Sequence, residues 1–202
     1  MREGHSVVFS IDPGFGGTGL CMFVNKKLYK FSNIKSGKSD TDRYVDIASK
    51  CATHAMAWIS DLLSAASSKE EMFIRRISIV IESPHAMGGV KGRASLMRGD
   101  VFKVAKLAGA IGAVMHLYLE SYTEGRMWCA DTDIHIYYPD VRAWKGQVTK
   151  ETTQRRVLRD VTYAVEYIKD RHYKLKPEYP DHVFDAAGIG LWFINKTIMG
   201  AL

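Results

Sequence analysis

From Ser6 to Asp12 the chain reads "SVVFSID", and a similar apolar-rich strand rhythm returns in Thr18–Val24 and Lys27–Phe31. Strand side chains point to opposite faces in turn, so this rhythm predicts three successive strands, the second and third joined as a hairpin by "NKK". Between Asp42 and Ala66 the period changes. Val45, Ala48, Ala52, Met56, Ile59 and Leu63 recur at helical spacing, which predicts an amphipathic helix. "RRISIVIES" is almost continuously apolar, the pattern of a strand covered on both faces, and it closes on an acid, Glu82. After the glycine-rich "PHAMGGVKGR", a second long helix is predicted from Ala94 to Tyr122. "DIHIYY" predicts a fifth strand closed by Pro139. "TKETTQRRVLRDVTYAVEYIKDR" predicts a helix with Thr149 as N-cap, and a last helix starts near Pro180-Asp181 and carries "HVFDAAGIGLWFINKTI". The order β-β-β-α-β-α-β-α-α predicts an α/β fold, a mixed sheet with helices on its faces. Sheets of this kind hold ligands at the carboxyl ends of their strands.

With 202 residues and no linker-like stretch, the chain is expected to form a single domain over 1–202. No apolar run reaches the roughly 18 residues of a membrane span, so a soluble protein without a membrane partner is expected. "MREGHSVV" lacks the apolar core of a secretory signal, and a cytoplasmic location is expected, the host cytoplasm if the source is viral. Cys21, Cys51 and Cys129 are odd in number and widely spaced, which argues against a disulfide framework or a structural zinc site. The formal charge is +6 and the cations cluster. Lys91, Arg93, Arg98, Lys103 and Lys106 form one group; Arg142, Lys145, Lys150, Arg155, Arg156 and Arg159 form another. Phosphate contacts supply most sequence-independent affinity for DNA, so two such groups favour a nucleic-acid partner over a small-molecule substrate.

The candidate chemistry lies in the acids. Asp12 ends the first strand and Glu82 the fourth, so the two meet at one sheet edge if these strands are neighbours. The last helix adds Asp181, His182 and Asp185, and Asp185 shares a helix face with either of the other two. Carboxylates gathered in this way repel one another unless a cation intervenes, and hard oxygen donors suit Mg²⁺ or Mn²⁺. Two ions in one site would support hydrolysis of a phosphodiester. The small residues Ala105, Ala108, Gly109, Gly112 and Ala113 of the second long helix would let another backbone approach closely, within the core or across a dimer interface.

Four stretches, "SIDPGFGGTGL", "IVIESP", "YPDVRAWKGQVTKETTQRRV" and "DHVFDAAGIGLW", are similar in order and spacing to the RuvC family of Holliday-junction resolvases, in the ribonuclease H-like superfamily. The resemblance spans most of the chain. It implies a ribonuclease H-like fold whose five-stranded sheet has antiparallel strands one to three followed by parallel ones. It also implies a homodimer that nicks a four-way DNA junction symmetrically, in recombination, repair or viral genome processing. The catalytic metal ligands it implies are Asp12, Glu82, His182 and Asp185, holding two Mg²⁺, replaceable by Mn²⁺; Asp181 is the alternative to His182. Lys145 and Lys150 match the family's two lysines. A lysine at a helix start opposes the macrodipole, so Lys150 makes sense as a catalytic phosphate contact. His85 stands where the family often presents an aromatic that stacks on a junction base, and Arg156, Lys91 and Arg93 are further expected DNA contacts. Two alternatives stay open: a related nuclease acting on flaps, forks or other branched DNA, and an ATP-binding protein of the actin-like or sugar-kinase type, which shares the Asp-x-Gly strand turn but needs a second lobe.

Overall fold

The alternating segments assemble into one five-stranded sheet, ordered β3-β2-β1-β4-β5, from β1 (His5–Asp12), β2 (Thr18–Val24), β3 (Lys27–Ile34), β4 (Ile74–Ile81) and β5 (Asp133–Tyr137). The computed structural model describes residues 4–38, 40–65, 73–84, 99–124, 132–146, 152–157, 159 and 181–198. β1, β2 and β3 pair antiparallel, whereas β4 and β5 continue from β1 in parallel, which is the mixed sheet expected from the sequence. Asn25 and Lys26 both take positive φ, 46° and 74°, at the β2–β3 turn. Two consecutive left-handed residues form the hairpin turn whose twist matches that of the strands.

The period-two pattern decides what covers each face. Val7, Phe9 and Ile11 of β1 pack with α1 (Asp40–Ala65) and α2 (Asp100–Thr123), while Val8, Cys21 and Phe23 pack with the last helix, Asp181–Ile198. A central strand buried on both faces has no solvent side to keep polar, which explains the near-continuous apolar run of β4. Cys21 and Cys51 are buried free thiols, and burial pushes the Cys51 thiol up to about 12, so both are inert packing residues.

Three features differ from the sequence expectations. β3 extends to Ile34, because Thr18 pairs with Ile34 beyond the predicted end at Phe31. α2 begins at Asp100 behind Gly99, whose φ is +72°; the predicted start, 94–98, lies outside the described residues. A short helix, α3 (Val141–Lys145), was not predicted: five residues are too few to show a period. The Asp140 carboxylate caps it, accepting from Arg142 N at 2.7 Å. Of the helix predicted over 149–171, residues 152–157 are helical, and Thr149 lies outside the described residues. The last helix is designated α4.

α2 is the one helix among the described residues long and apolar enough to cross a membrane by length and composition. One of its faces, with Leu107, Ala108, Ile111, Gly112 and Met115, is buried in the core. The small-residue stripe is therefore split. Gly112 lies beneath the Tyr138 hydroxyl and Ile81, whereas Ala105, Gly109 and Ala113 are exposed beside Phe102 and Leu117, themselves 62% and 61% exposed.

Candidate active site

Register places the first two acids. β1 and β4 are neighbours, with Ile11 opposite Ile81, and Glu82 N donates to Ile11 O at 2.9 Å, carrying the parallel ladder one residue past β4. Asp12 and Glu82 thus emerge side by side at the carboxyl edge. After Asp12 the chain turns through a glycine loop tied by Thr18, whose hydroxyl donates to Gly14 O at 3.1 Å and accepts from Gly14 N at 3.3 Å.

The start of α4 lies directly on this loop. A Cβ on Gly19 would stand 1.9 Å from His182 O, and one on Gly14 would stand 2.7 Å from the His182 ring. The glycines are therefore required for close approach of helix to strand. That approach brings His182 Nδ1 to 2.6 Å from Asp12 Oδ2. One turn on, Asp185 receives Lys145 Nζ at 3.3 Å, from the end of α3. Trp144, the residue before, donates its indole N–H to Glu82 Oε2 at 2.8 Å. Asp181 is exposed and turns to Gln154, whose amide donates to it at 3.1 Å, so of the two third-ligand candidates it is His182 that the structure brings to Asp12.

Burial and crowded charge set the electrostatics. Burial holds the Asp12 carboxyl above its ordinary range, opposed by the His182 hydrogen bond, and Asp185 adds to the rise. The Asp12 contact in turn raises the His182 imidazole above its ordinary value, opposed by its burial. Glu82 is pushed from 4.5 to about 7 by burial and by the Asp12 charge, with the Trp144 bond working against them. A group that folding makes harder to ionise favours the folded state below its unfolded value; that contribution fades as pH rises through the folded value. Metal-free stability is therefore expected to fall between about pH 5 and 8, and Glu82→Gln to recover about 2 kcal/mol of it at pH 8. Urea melts of both proteins at pH 5 and pH 8 check this; equal stability at pH 8 would contradict it.

Hard oxygen donors whose charges oppose one another's ionisation suit a divalent cation in type. The side chains as they stand are each engaged by a protein partner, and among the described residues no three His, Cys, Asp or Glu are gathered as a ready metal cage. Of the expected DNA contacts, Arg156 is exposed in the helical segment 152–157 and Lys145 lies against Asp185. Lys150, His85, Lys91 and Arg93 lie outside the described residues. Sequence reasoning missed Trp144, although its position beside Lys145 was a usable signal.

No family profile matches this sequence, and no curated protein sequence matches it significantly. Its three-dimensional structure does match that of Thermus thermophilus RuvC, with a TM-score of 0.53 at 14% identity, over 96% of this chain and 97% of the other. The chain has the RuvC fold. A structure of T. thermophilus RuvC in complex with Holliday junction substrate is similar too, with a TM-score of 0.55 at 13% identity and 96% of each chain covered. The yeast mitochondrial Holliday junction resolvase Ydc2 aligns with a TM-score of 0.45 at 11% identity, over 96% of this chain and 81% of that one. Within the RuvC fold of this chain, β1, β4 and α4 carry the acids and α3 carries the two side chains that grip them.

Proposed function

We propose that this chain is a metal-dependent, structure-selective DNA endonuclease that resolves four-way junctions by paired nicks. The observation that carries the reading is the convergence of Asp12, Glu82, His182 and Asp185 at one edge of a RuvC-type sheet, with Lys145 beside them. Asp12, Glu82 and Asp185, with His182, are the residues that would hold Mg²⁺ or Mn²⁺. Such ions would supply an activated water and neutralise charge on the scissile phosphate. Asp12 and Glu82 project from adjacent strands, so their separation is fixed by backbone hydrogen bonds. Lys145, already against Asp185 at this edge, would meet a phosphate there, with Arg156 adding a sequence-independent contact further along the strand.

Two symmetric nicks need two sites at a fixed spacing, hence a homodimer with a two-fold axis. The exposed face of α2 is the surface proposed for it. Ala105, Gly109 and Ala113 leave room for a second helix backbone, flanked by Phe102 and Leu117. A Cβ on Gly109 meets nothing within 4 Å, so Gly109→Arg is expected to fold normally and to shift the protein from dimer to monomer. Light scattering during gel filtration reads this; a wild-type monomer at micromolar concentration would remove the interface.

The function is tested by cleavage of labelled four-way junction, fork, flap and duplex at equal concentration, with Mg²⁺, Mn²⁺ or EDTA. Preference for the junction with paired cuts supports the reading, and equal cutting of forks and flaps supports the broader branched-DNA nuclease.

A further inference from the structure

Trp144 donates its indole N–H to Glu82, one of the acids of the candidate site. Its setting is constructed from several directions. The Ser83 N–H donates to Pro139 O at 2.8 Å, tying the end of β4 to the segment that leads into α3. Asp140 then caps α3, so only five residues separate this anchor from Lys145. On its far side the indole ring rests on α4, where a Cβ at Gly188 would stand 2.9 Å from the ring and 3.3 Å from Val157. Lys145 Nζ lies 5.2 Å from the same ring's centre while it holds Asp185. The ring is thus wedged between the strand that carries Glu82 and the helix that carries Asp185, with its only polar atom aimed at Glu82.

Glu82 is a flexible side chain at the end of a strand, and an unrestrained carboxylate loses conformational entropy on binding a cation. A donor fixed by packing on one carboxylate oxygen leaves the other oxygen's lone pairs directed into the site. We infer that Trp144 is a positioning residue: its indole N–H holds Glu82 in the orientation that binds the divalent cation, and its ring couples that orientation to α4. The inference rests on the metal-dependent reading above and adds to it a residue outside the carboxylate set. Neutral hydrogen-bond donors of this kind, one step removed from a metal, typically change its affinity by about 10- to 100-fold.

Trp144→Phe keeps the ring's packing and removes the N–H. In calorimetric titrations with Mn²⁺, in the absence of DNA, it is expected to weaken binding at least about 10-fold relative to wild type, with junction affinity in EDTA unchanged. In nitrogen-edited NMR spectra of the wild type, the indole resonance that Trp144→Phe removes is expected to move on addition of Mg²⁺ and in Glu82→Ala, while the other three indoles stay in place. The Mg²⁺ and Glu82→Ala shifts are read on proteins that keep Trp144, so they test the contact independently of any change in the affinity of Trp144→Phe. Mn²⁺ affinity unchanged in a folded Trp144→Phe, or an indole signal that ignores both Mg²⁺ and Glu82→Ala, overturns the inference and leaves the nuclease reading standing. A wild type that binds no Mn²⁺ overturns the metal-dependent reading itself.

Discussion

Asp12→Asn is expected to lower junction cleavage by at least about 10²- to 10³-fold while leaving junction binding in EDTA intact. Asp12 sits at the end of β1, opposite Gly19 of β2 and one residue past the Ile11–Ile81 pair with β4, and is 7% exposed. An amide in its place keeps the shape and can still accept from His182, so the fold has no reason to change. It removes the negative charge, and with it most of the attraction for a cation and the stabilisation of charge that builds up during phosphodiester hydrolysis. Because burial already holds that carboxyl above its ordinary range, losing its charge is also expected to raise rather than lower the melting temperature of the metal-free protein. The decisive comparison is single-turnover cleavage against binding measured on the same junction. A variant that cuts like wild type would sink the assignment, and one that binds without cutting supports it.

Gly19→Ala is expected to be the most damaging single methyl group that the glycine loop can receive. The added Cβ would lie 1.9 Å from His182 O, 2.3 Å from His182 C and 2.9 Å from Val183 N. All three are backbone atoms, so no side-chain rotation relieves the clash and α4 must move off the sheet. Overpacking against side chains typically costs about 1–3 kcal/mol; against backbone the cost is expected at or above the top of that range. The helix that moves carries His182 and Asp185, so activity should fall with stability. Gly16→Ala, three residues away in sequence, is the matched control: its Cβ meets nothing within 4 Å, and it should melt with the wild type. Equal urea midpoints for the two variants would show that α4 does not sit as close to β2 as described.

Much of this arrangement was legible in the sequence, for physical reasons that differ by element. β1 and β4 announced themselves because a strand buried on both faces can carry few polar residues, so the acids at their ends stood out. α1 was legible because one face meets the core and the other meets water, although Val45, read as part of the apolar stripe, is 64% exposed. The neighbouring placement of Asp12 and Glu82 was legible only as a condition, since strand order depends on contacts between residues far apart in the chain. α3 was not legible at all. Its position is set by a cap at Asp140 and by an indole wedged against Gly188, and neither leaves a periodic trace. The α2 stripe shows a further limit: small residues at helical spacing reveal that something comes close, and only the packed structure distinguishes Gly112 beneath Tyr138 from Gly109 facing outward.

The acids also differ in when they become available. Asp12 and Glu82 belong to strands in the first half of the chain, whereas His182 and Asp185 enter with α4, the last of the described elements. A chain still under synthesis therefore holds half of the constellation long before the rest. Until α4 docks against Gly14 and Gly19, the edge of the sheet bears two carboxylates without the groups that complete them. Chain order thus leaves the four-residue edge incomplete until the last of the described elements has packed against the sheet.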